Sequence, residues 1–264
     1  MSDEPREVEG VLLVRAGDQD AAGERVAALE AVGRFDLRAR PPQRIRDTYV
    51  DTGDGALAAA RVAFRVRELD GRPLLTLKSE PVRSGLAAER LEVEAPWSAA
   101  ALRTVLEELR RRDIDLRVLA DRVAGEEEPL AVLAGLGLRP TQVRETTRTP
   151  RDVVERDDPG AGRVAELTVD DVVYQLPAGR ARLLEVEVEA KGSGGLETVQ
   201  TLLEALAEAF PDDLRPWPYG KLATGQAVER LLAEGRLEGL LDADGRIRPA
   251  AHELLDEFLS QNSP

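Results

Sequence analysis

Between Ala63 and Ala95 nearly every second residue carries a charge, and that period limits what the chain can fold into. The stretch reads Ala-Phe-Arg65-Val-Arg67-Glu-Leu, then Asp70-Gly71-Arg-Pro, then Leu-Leu-Thr76-Leu-Lys78. After a glycine-containing loop comes Arg90-Leu-Glu92-Val-Glu94. Successive side chains of a strand point to opposite faces, so an alternation of period two specifies strands with one apolar and one charged face. Asp-Gly between the first two runs signals a hairpin. One face holds Phe64, Val66, Leu75, Leu77, Leu91 and Val93; the other holds Arg65, Arg67, Thr76, Lys78, Arg90, Glu92 and Glu94. Any one such strand is compatible with an ordinary half-buried sheet whose charges face water. Several of them, with bases grouped on some and carboxylates on others, also fit a cavity wall that holds a polyanion and a metal together.

Composition narrows the chemistry. Of the 264 residues 42% are hydrophobic but only 3% aromatic, so the core must be built mostly from Leu, Val and Ala. This length allows one large β-rich domain or two smaller ones. The net charge of −14 argues against a nucleic-acid binder that works by neutralising phosphates, so the functional basic residues must be gathered locally. The absence of cysteine removes disulfides, zinc–thiolate sites and thiol catalysis. The single histidine, His252, lies in a helical pattern near the C-terminus and is expected at the surface. Any metal must then be a hard cation held by carboxylates, Mg²⁺ or Mn²⁺ in preference to zinc. No apolar run approaches transmembrane length and Met-Ser-Asp-Glu is not a signal peptide, so the expected location is cytoplasmic.

In chain order, Glu7-Val8-Glu9-Gly10-Val11-Leu12-Leu13-Val14 reads as a strand with Glu7, Glu9 and Val11 on one face. Ala22, Val26, Leu29 and Val32 suggest a helix between Gly17 and Phe35, capped by Asp18 or Asp20. Pro41-Pro42 precedes a strand from Arg44 to Thr52. Ser98 caps a helix running to about Arg112, and a short helix spans Glu128 to Leu136. Pro140 is followed by a strand carrying Arg144, Thr146 and Arg148, and Asp157-Asp158-Pro159-Gly160 reads as a turn. Strands are expected at Val164–Asp170, Val172–Leu176 and Leu184–Lys191, then helices at Leu196–Phe210, Leu222–Glu234 and Pro249–Ser260. The succession of basic strand, turn, acidic strand and amphipathic helix in residues 61–112 returns in 140–210, which suggests two pseudo-symmetric halves. This fits an α+β fold, a closed antiparallel barrel or tunnel with a charged inner face and helices packed outside, because closure removes exposed strand edges. An open sheet with its charged face in water also fits. The glycine signatures of dinucleotide-binding and P-loop folds are absent.

These segments resemble the CYTH superfamily, the triphosphate tunnel metalloenzymes. Glu7-Val-Glu9-Gly-Val11 is similar to the family's N-terminal E-x-E-x-K except at the last position, and Tyr49-Val50-Asp51-Thr52 to its Y-F-D-T strand. Phe64-Arg65-Val66-Arg67 resembles L-R-x-R, Leu75-Thr76-Leu77-Lys78 resembles L-T-x-K, and Arg90-Leu-Glu92-Val-Glu94 resembles R-x-E-x-E. Glu166-Leu-Thr-Val-Asp170 resembles E-L-x-x-D, Glu185-Val-Glu187-Val-Glu189-Ala-Lys191 the late E-x-E-x-E-x-K strand, and Gly220-Lys221 the closing S-K segment. The likeness covers residues 5–225 as one tunnel domain and leaves 226–264 as a C-terminal helical extension.

The resemblance implies an eight-stranded antiparallel tunnel and divalent-metal-dependent hydrolysis of a triphosphate. It implies that Arg65, Arg67, Lys78, Arg90, Arg144, Arg148 and Lys221 bind substrate. Glu7, Glu9, Glu92, Glu94, Asp170, Glu187 and Glu189 would hold Mg²⁺ or Mn²⁺, with Glu7, Glu9, Glu187, Glu189 and Lys78 carrying catalysis. A triphosphate-containing small molecule is the expected partner. The low aromatic content favours inorganic triphosphate over an organic triphosphate or an adenylate-cyclase-type reaction. Val11 in place of the family lysine leaves open a non-catalytic triphosphate- or polyphosphate-binding module, unless another cation, such as Arg15, fills the gap.

Overall fold

A computed structural model describes residues 6–116, 128–158, 160 and 162–262. The elements run β1 (Arg6–Val14), α1 (Gln19–Ala27), β2 (Ala31–Val32), β3 (Phe35–Ala39), β4 (Gln43–Thr52), α2 (Ala56–Ala59), β5 (Ala63–Leu69), β6 (Arg72–Lys78), β7 (Val82–Ser84) and β8 (Ala87–Pro96). They continue with α3 (Ala99–Arg110), α4 (Pro129–Gly135), β9 (Leu138–Glu155), β10 (Ala165–Leu176), β11 (Gly179–Ala190), α5 (Leu196–Ala209), β12 (Leu214–Pro216), α6 (Lys221–Ala233) and α7 (Pro249–Asn262). Hydrogen bonding orders the strands β10-β11-β1-β8-β6-β5-β4-β9, and β9 pairs again with β10. Eight strands thus close on themselves as an antiparallel barrel, while β3 and β2 extend the sheet beyond β9 and two short strands, β7 and β12, pair with β8 and β1.

The chain divides into two compact units. The first comprises residues 45–81 and 90–144, and the second residues 7–44, 82–89 and 145–264. In the first unit the β5–β6 hairpin turns on Asp70 and Gly71, both at positive φ, with Leu69 opposite Arg72. That is the two-residue turn expected from Asp-Gly. The even-numbered apolar residues of β5 and the odd-numbered ones of β6 bury Phe64, Val66, Leu75 and Leu77 against Leu102, Val105, Leu106 and Leu109 of α3 and Leu133 of α4. Ser98 caps α3 by accepting a hydrogen bond from the Ala101 amide, as its position before the apolar stripe indicated. Asp51 has a structural role here, because its carboxylate accepts hydrogen bonds from the Thr52, Leu57 and Ala58 amides and so anchors α2.

In the second unit one cluster packs α1 and α5 against Leu167, Val169, Val186 and Val188 of β10 and β11. A second cluster packs α6 and α7 against Leu13, Val172, Tyr174 and Leu183, with Val11 at its margin. Register places Val11 opposite Glu187 and Leu13 opposite Glu185. Within this unit one sheet face therefore changes along its strands from carboxylates to an apolar surface that the C-terminal helices cover.

Four expectations need correction. The helix expected to reach Phe35 ends at Ala27, and Val32 and Phe35 instead face each other across a β2–β3 hairpin in which Gly33 takes φ +54. The strands expected at 164–170 and 172–176 are one, since Asp171 continues the pairing opposite Leu184. His252 is buried at 1% exposure, because it sits on the inner side of α7 beside Ala251 and Leu255. Pro140 lies inside β9, whose first residue is Leu138. Pro159, part of the expected turn, lies outside the described residues.

Candidate functional site

In the first unit the charged face of β4, β5, β6 and β8 is built around a carboxylate. Asp47 of β4 lies opposite Arg67 of β5, and Tyr49 opposite Arg65. Arg67 donates to Asp47 through Nε (2.9 Å) and Nη2 (3.2 Å). Arg144, from β9, donates to Asp47 Oδ2 through Nε (3.1 Å) and Nη2 (2.8 Å). Arg65 donates to the Tyr49 hydroxyl at 3.1 Å, with its Nη1 and Nε each 3.5 Å from Asp47. The guanidiniums of Arg65 and Arg144 also lie 5.8 and 4.9 Å from the Tyr49 ring centroid. Asp47 and Arg144 are each 1% exposed. Burial alone would push the Asp47 carboxyl up, but Arg65, Arg67 and Arg144 together hold it well below the usual carboxylate range. Burial likewise disfavours the Arg65 charge, and Asp47 and Tyr49 more than offset it.

The outer edges of two of these guanidiniums point to one oxygen. Glu94 Oε2 accepts a hydrogen bond from the Thr76 hydroxyl at 2.8 Å and lies 3.5 Å from Arg67 Nη1 and 3.9 Å from Arg65 Nη2. Further along the same face Lys78 pairs with Glu92 at 3.1 Å, the two residues being cross-strand neighbours. Arg90 lies half-buried on β8, on the same strand face as Glu92 and Glu94.

The second unit holds the complementary cluster. Arg148 of β9 binds Asp170 of β10 in bidentate fashion, Nε to Oδ1 at 2.8 Å and Nη2 to Oδ2 at 2.7 Å, and also donates to Glu187 at 3.0 Å. Lys221, the first residue of α6, donates to Glu187 at 2.6 Å and lies 3.2 Å from Asp170 and 3.1 Å from Glu185. Burial lowers the tendency of Lys221 to stay charged, but Glu187, Glu185 and Asp170 raise its pKa well above the ordinary value. Glu185 is fully buried, and that burial pushes its carboxyl up despite Lys221.

At the other end of β11, Glu189 lies opposite Glu9 in register and accepts a hydrogen bond from Lys191. Carboxylate oxygens of Glu7 and Glu189 lie within 4.8 Å of each other. Burial pushes the Glu189 carboxyl up to about 7, with Glu7 adding to the effect and Lys191 opposing it. Two carboxylates held this close, one partly buried and resisting ionisation, are a donor set suited to a hard divalent cation.

The structure thus groups Arg65, Arg67, Arg144 and Glu94; pairs Lys78 with Glu92; and gathers Arg148, Asp170, Glu187 and Lys221. Glu7 and Glu189 come together, with Glu9 on the same strand face as Glu7. Arg15 does not fill the place left by Val11: it is exposed and donates to the carbonyls of Pro211 and Asp212. Glu187, opposite that position, is met by both Lys221 and Arg148. Asp47 and Glu185 were missed as site residues. The signal available for Asp47 was its parity with Tyr49, and for Glu185 its place in the Glu-Val-Glu-Val-Glu run.

Among the described residues no helix is long and apolar enough to cross a membrane. No curated protein matches the chain. A solved structure from Hippeastrum, of a proposed adenylyl cyclase with a dominant triphosphatase activity, is 19% identical and covers 84% of this chain and 96% of its own at a TM-score of 0.53. A proposed adenylate cyclase from Bacillus halodurans is 19% identical, covering 83% of this chain and 95% of its own, with a TM-score of 0.47. A Mimivirus capping-enzyme triphosphatase is 10% identical, covering 80% and 91%, with a TM-score of 0.38. The sequence model of the CYTH domain matches residues 25–212. A match over that much of the chain, together with the closed eight-stranded barrel, makes the protein a member of the CYTH family.

Proposed function

We propose that this chain is a cytoplasmic triphosphatase that requires Mg²⁺ or Mn²⁺ and acts on inorganic triphosphate. The observation that carries the reading is the group of three largely buried guanidiniums, Arg65, Arg67 and Arg144, sharing the single buried carboxylate of Asp47. Such a cluster of desolvated guanidiniums is stabilised by a polyanion, and arginine's planar fork suits phosphoryl oxygens. Lys78 and Arg90 extend the basic wall along the same face. In the second unit Arg148 and Lys221 are the remaining proposed phosphate contacts.

Glu7, Glu9 and Glu189 are the proposed metal ligands, with Glu92, Glu94, Asp170 and Glu187 as further carboxylates of the set. A divalent cation held there would draw charge from the phosphoryl oxygens and lower the pKa of an attacking water. The protein's own part is positioning: the arginines orient the triphosphate and stabilise charge that develops on it. No covalent nucleophile is required. Three of the aromatic side chains support a small substrate. Tyr49 is enclosed by two guanidiniums, Tyr174 donates to the Lys221 carbonyl, and Trp217 is buried with its ring edge-on to Tyr219. None of these three offers a free face on which to stack a base.

The decisive experiment is phosphate release from inorganic triphosphate, ATP and thiamine triphosphate, each with Mg²⁺, Mn²⁺ or a chelator. Metal-dependent release, fastest from inorganic triphosphate, is expected. Full activity in chelator would remove the metal role, and faster ATP turnover would move the assignment to organic triphosphates. Val11 favours a second reading, a binder without turnover, which tight triphosphate binding with no release under any condition would establish.

A further inference from the structure

Asp47 belongs to none of the segments that carry the family likeness, yet three arginines meet its carboxylate. Its carboxylate engages the Nε–Nη2 edge of Arg67 and of Arg144, and accepts from Nη1 of Arg65 at the longer distance of 3.5 Å. A guanidinium is rigid and planar, so fixing one edge fixes the direction of the other. In Arg65 and Arg67 one further nitrogen each, Nη2 and Nη1, lies 3.9 and 3.5 Å from the same oxygen, Glu94 Oε2, which also accepts from Thr76. Glu94 is the most exposed member of this group, with its side chain one-third exposed, whereas Arg65, Arg67 and Asp47 are 5%, 15% and 1% exposed. Its carboxylate therefore marks a place where an anionic oxygen, reached from solvent, meets two guanidinium edges and a hydroxyl.

We propose that Asp47 is a positioning residue: it holds the inner edges of Arg65, Arg67 and Arg144 so that the outer edges of Arg65 and Arg67, with the Thr76 hydroxyl, form a preset cradle for one phosphoryl group of the substrate. The Glu94 carboxylate stands in that cradle and yields it to the substrate. This rests on the triphosphatase reading, and it adds a consequence that simple charge counting contradicts. Neutralising Asp47 raises the net positive charge of the site, which by electrostatics alone would tighten binding of a polyanion. Loss of orientation would weaken it instead.

The test compares the full chain with Asp47→Asn, Arg144→Gln and the charge-balanced pair Asp47→Asn/Arg144→Gln. Binding of inorganic triphosphate is measured by calorimetry in chelator, KM and kcat in Mg²⁺ or Mn²⁺, and folding by circular dichroism and thermal melting. Asp47→Asn is expected to weaken triphosphate binding and raise KM at least tenfold, with kcat changed less than threefold. If that variant fails to fold, the pair should fold and still bind at least tenfold more weakly than Arg144→Gln alone. Binding by Asp47→Asn equal to or tighter than the parent's, or a pair that matches Arg144→Gln, overturns the positioning role while leaving the triphosphatase reading intact. A parent chain that neither binds nor hydrolyses triphosphate removes that reading and this inference with it.

Discussion

Replacing Lys221 with methionine keeps the length and much of the volume of the side chain but deletes its charge. The side chain is 9% exposed and its ammonium lies within 3.2 Å of three carboxylates: Glu187, Glu185 and Asp170. Arg148 remains beside Asp170 and Glu187, and Glu185 loses the cation 3.1 Å from it. Removing one partner of a buried ion pair typically costs about 3–5 kcal/mol, because the other charge stays desolvated. At roughly 2–4 °C per kcal/mol for a chain of this size, the melting temperature should fall by roughly 6–20 °C near neutral pH. The pH dependence separates this mechanism from simple loss of packing. Glu185 is already pushed up by burial, and without Lys221 it rises further. A carboxyl whose folded pKa exceeds its unfolded value costs stability fully above the folded value, and the cost disappears below the unfolded one, about 4.3 for glutamate. The deficit of Lys221→Met relative to the parent should therefore shrink as pH falls from about 8 to about 5. Thermal and urea melts of both proteins across that range provide the measurement. A deficit under about 1 kcal/mol, or one constant with pH, would refute the account of a buried charge cluster.

Three further outcomes are expected. Burial pushes His252 down to about 4, with Arg215 adding to the shift. Against an unfolded value near 6.5, stability should be undiminished above that pH and fall by about 3 kcal/mol as pH drops toward 4, a slope that His252→Leu should remove. Arg67→Ala should weaken triphosphate binding at least tenfold, whereas Arg103→Ala, on the exposed side of α3, should leave it unchanged; equal small effects would favour charges that merely face water. Val11→Lys should raise triphosphate turnover without changing the metal requirement. Because Val11 packs at the margin of the apolar cluster under α6 and α7, the same change should lower stability by about 1–3 kcal/mol, read as a melting shift.

The strands and their faces were legible because period two is a local property. Asp70-Gly71 fixed a hairpin register, and that register set Arg65 opposite Thr76 and Arg67 opposite Leu74. What could not be read is whatever depends on partners distant in the chain. Asp47 in Arg-Ile-Arg-Asp looks like one more surface charge until Arg144 arrives from β9. The helix expected through Val32 failed because the i, i+3 spacing of Leu29 and Val32 imitates a helix face, and the positive φ of Gly33 decides for a turn. His252 was misplaced because its helical pattern does not reveal which side of α7 packs inward. Lys221 was found through a short Gly-Lys segment, but its three carboxylate neighbours only appear once α6 lies against β10 and β11.

The pairing of β1 with β11 has a consequence for synthesis. Glu9 lies opposite Glu189 and Leu13 opposite Glu185, so β1 finds this partner only after about 170 further residues have been made. Contacts so distant in sequence carry a large loop-closure entropy and slow folding. Until then the β11-side edge of β1 stays open beside the apolar run Val11-Leu12-Leu13-Val14, a segment prone to join other chains. Barrel closure is therefore expected to be a late step after translation, and yield in cells should depend on chaperones that shield this N-terminal strand.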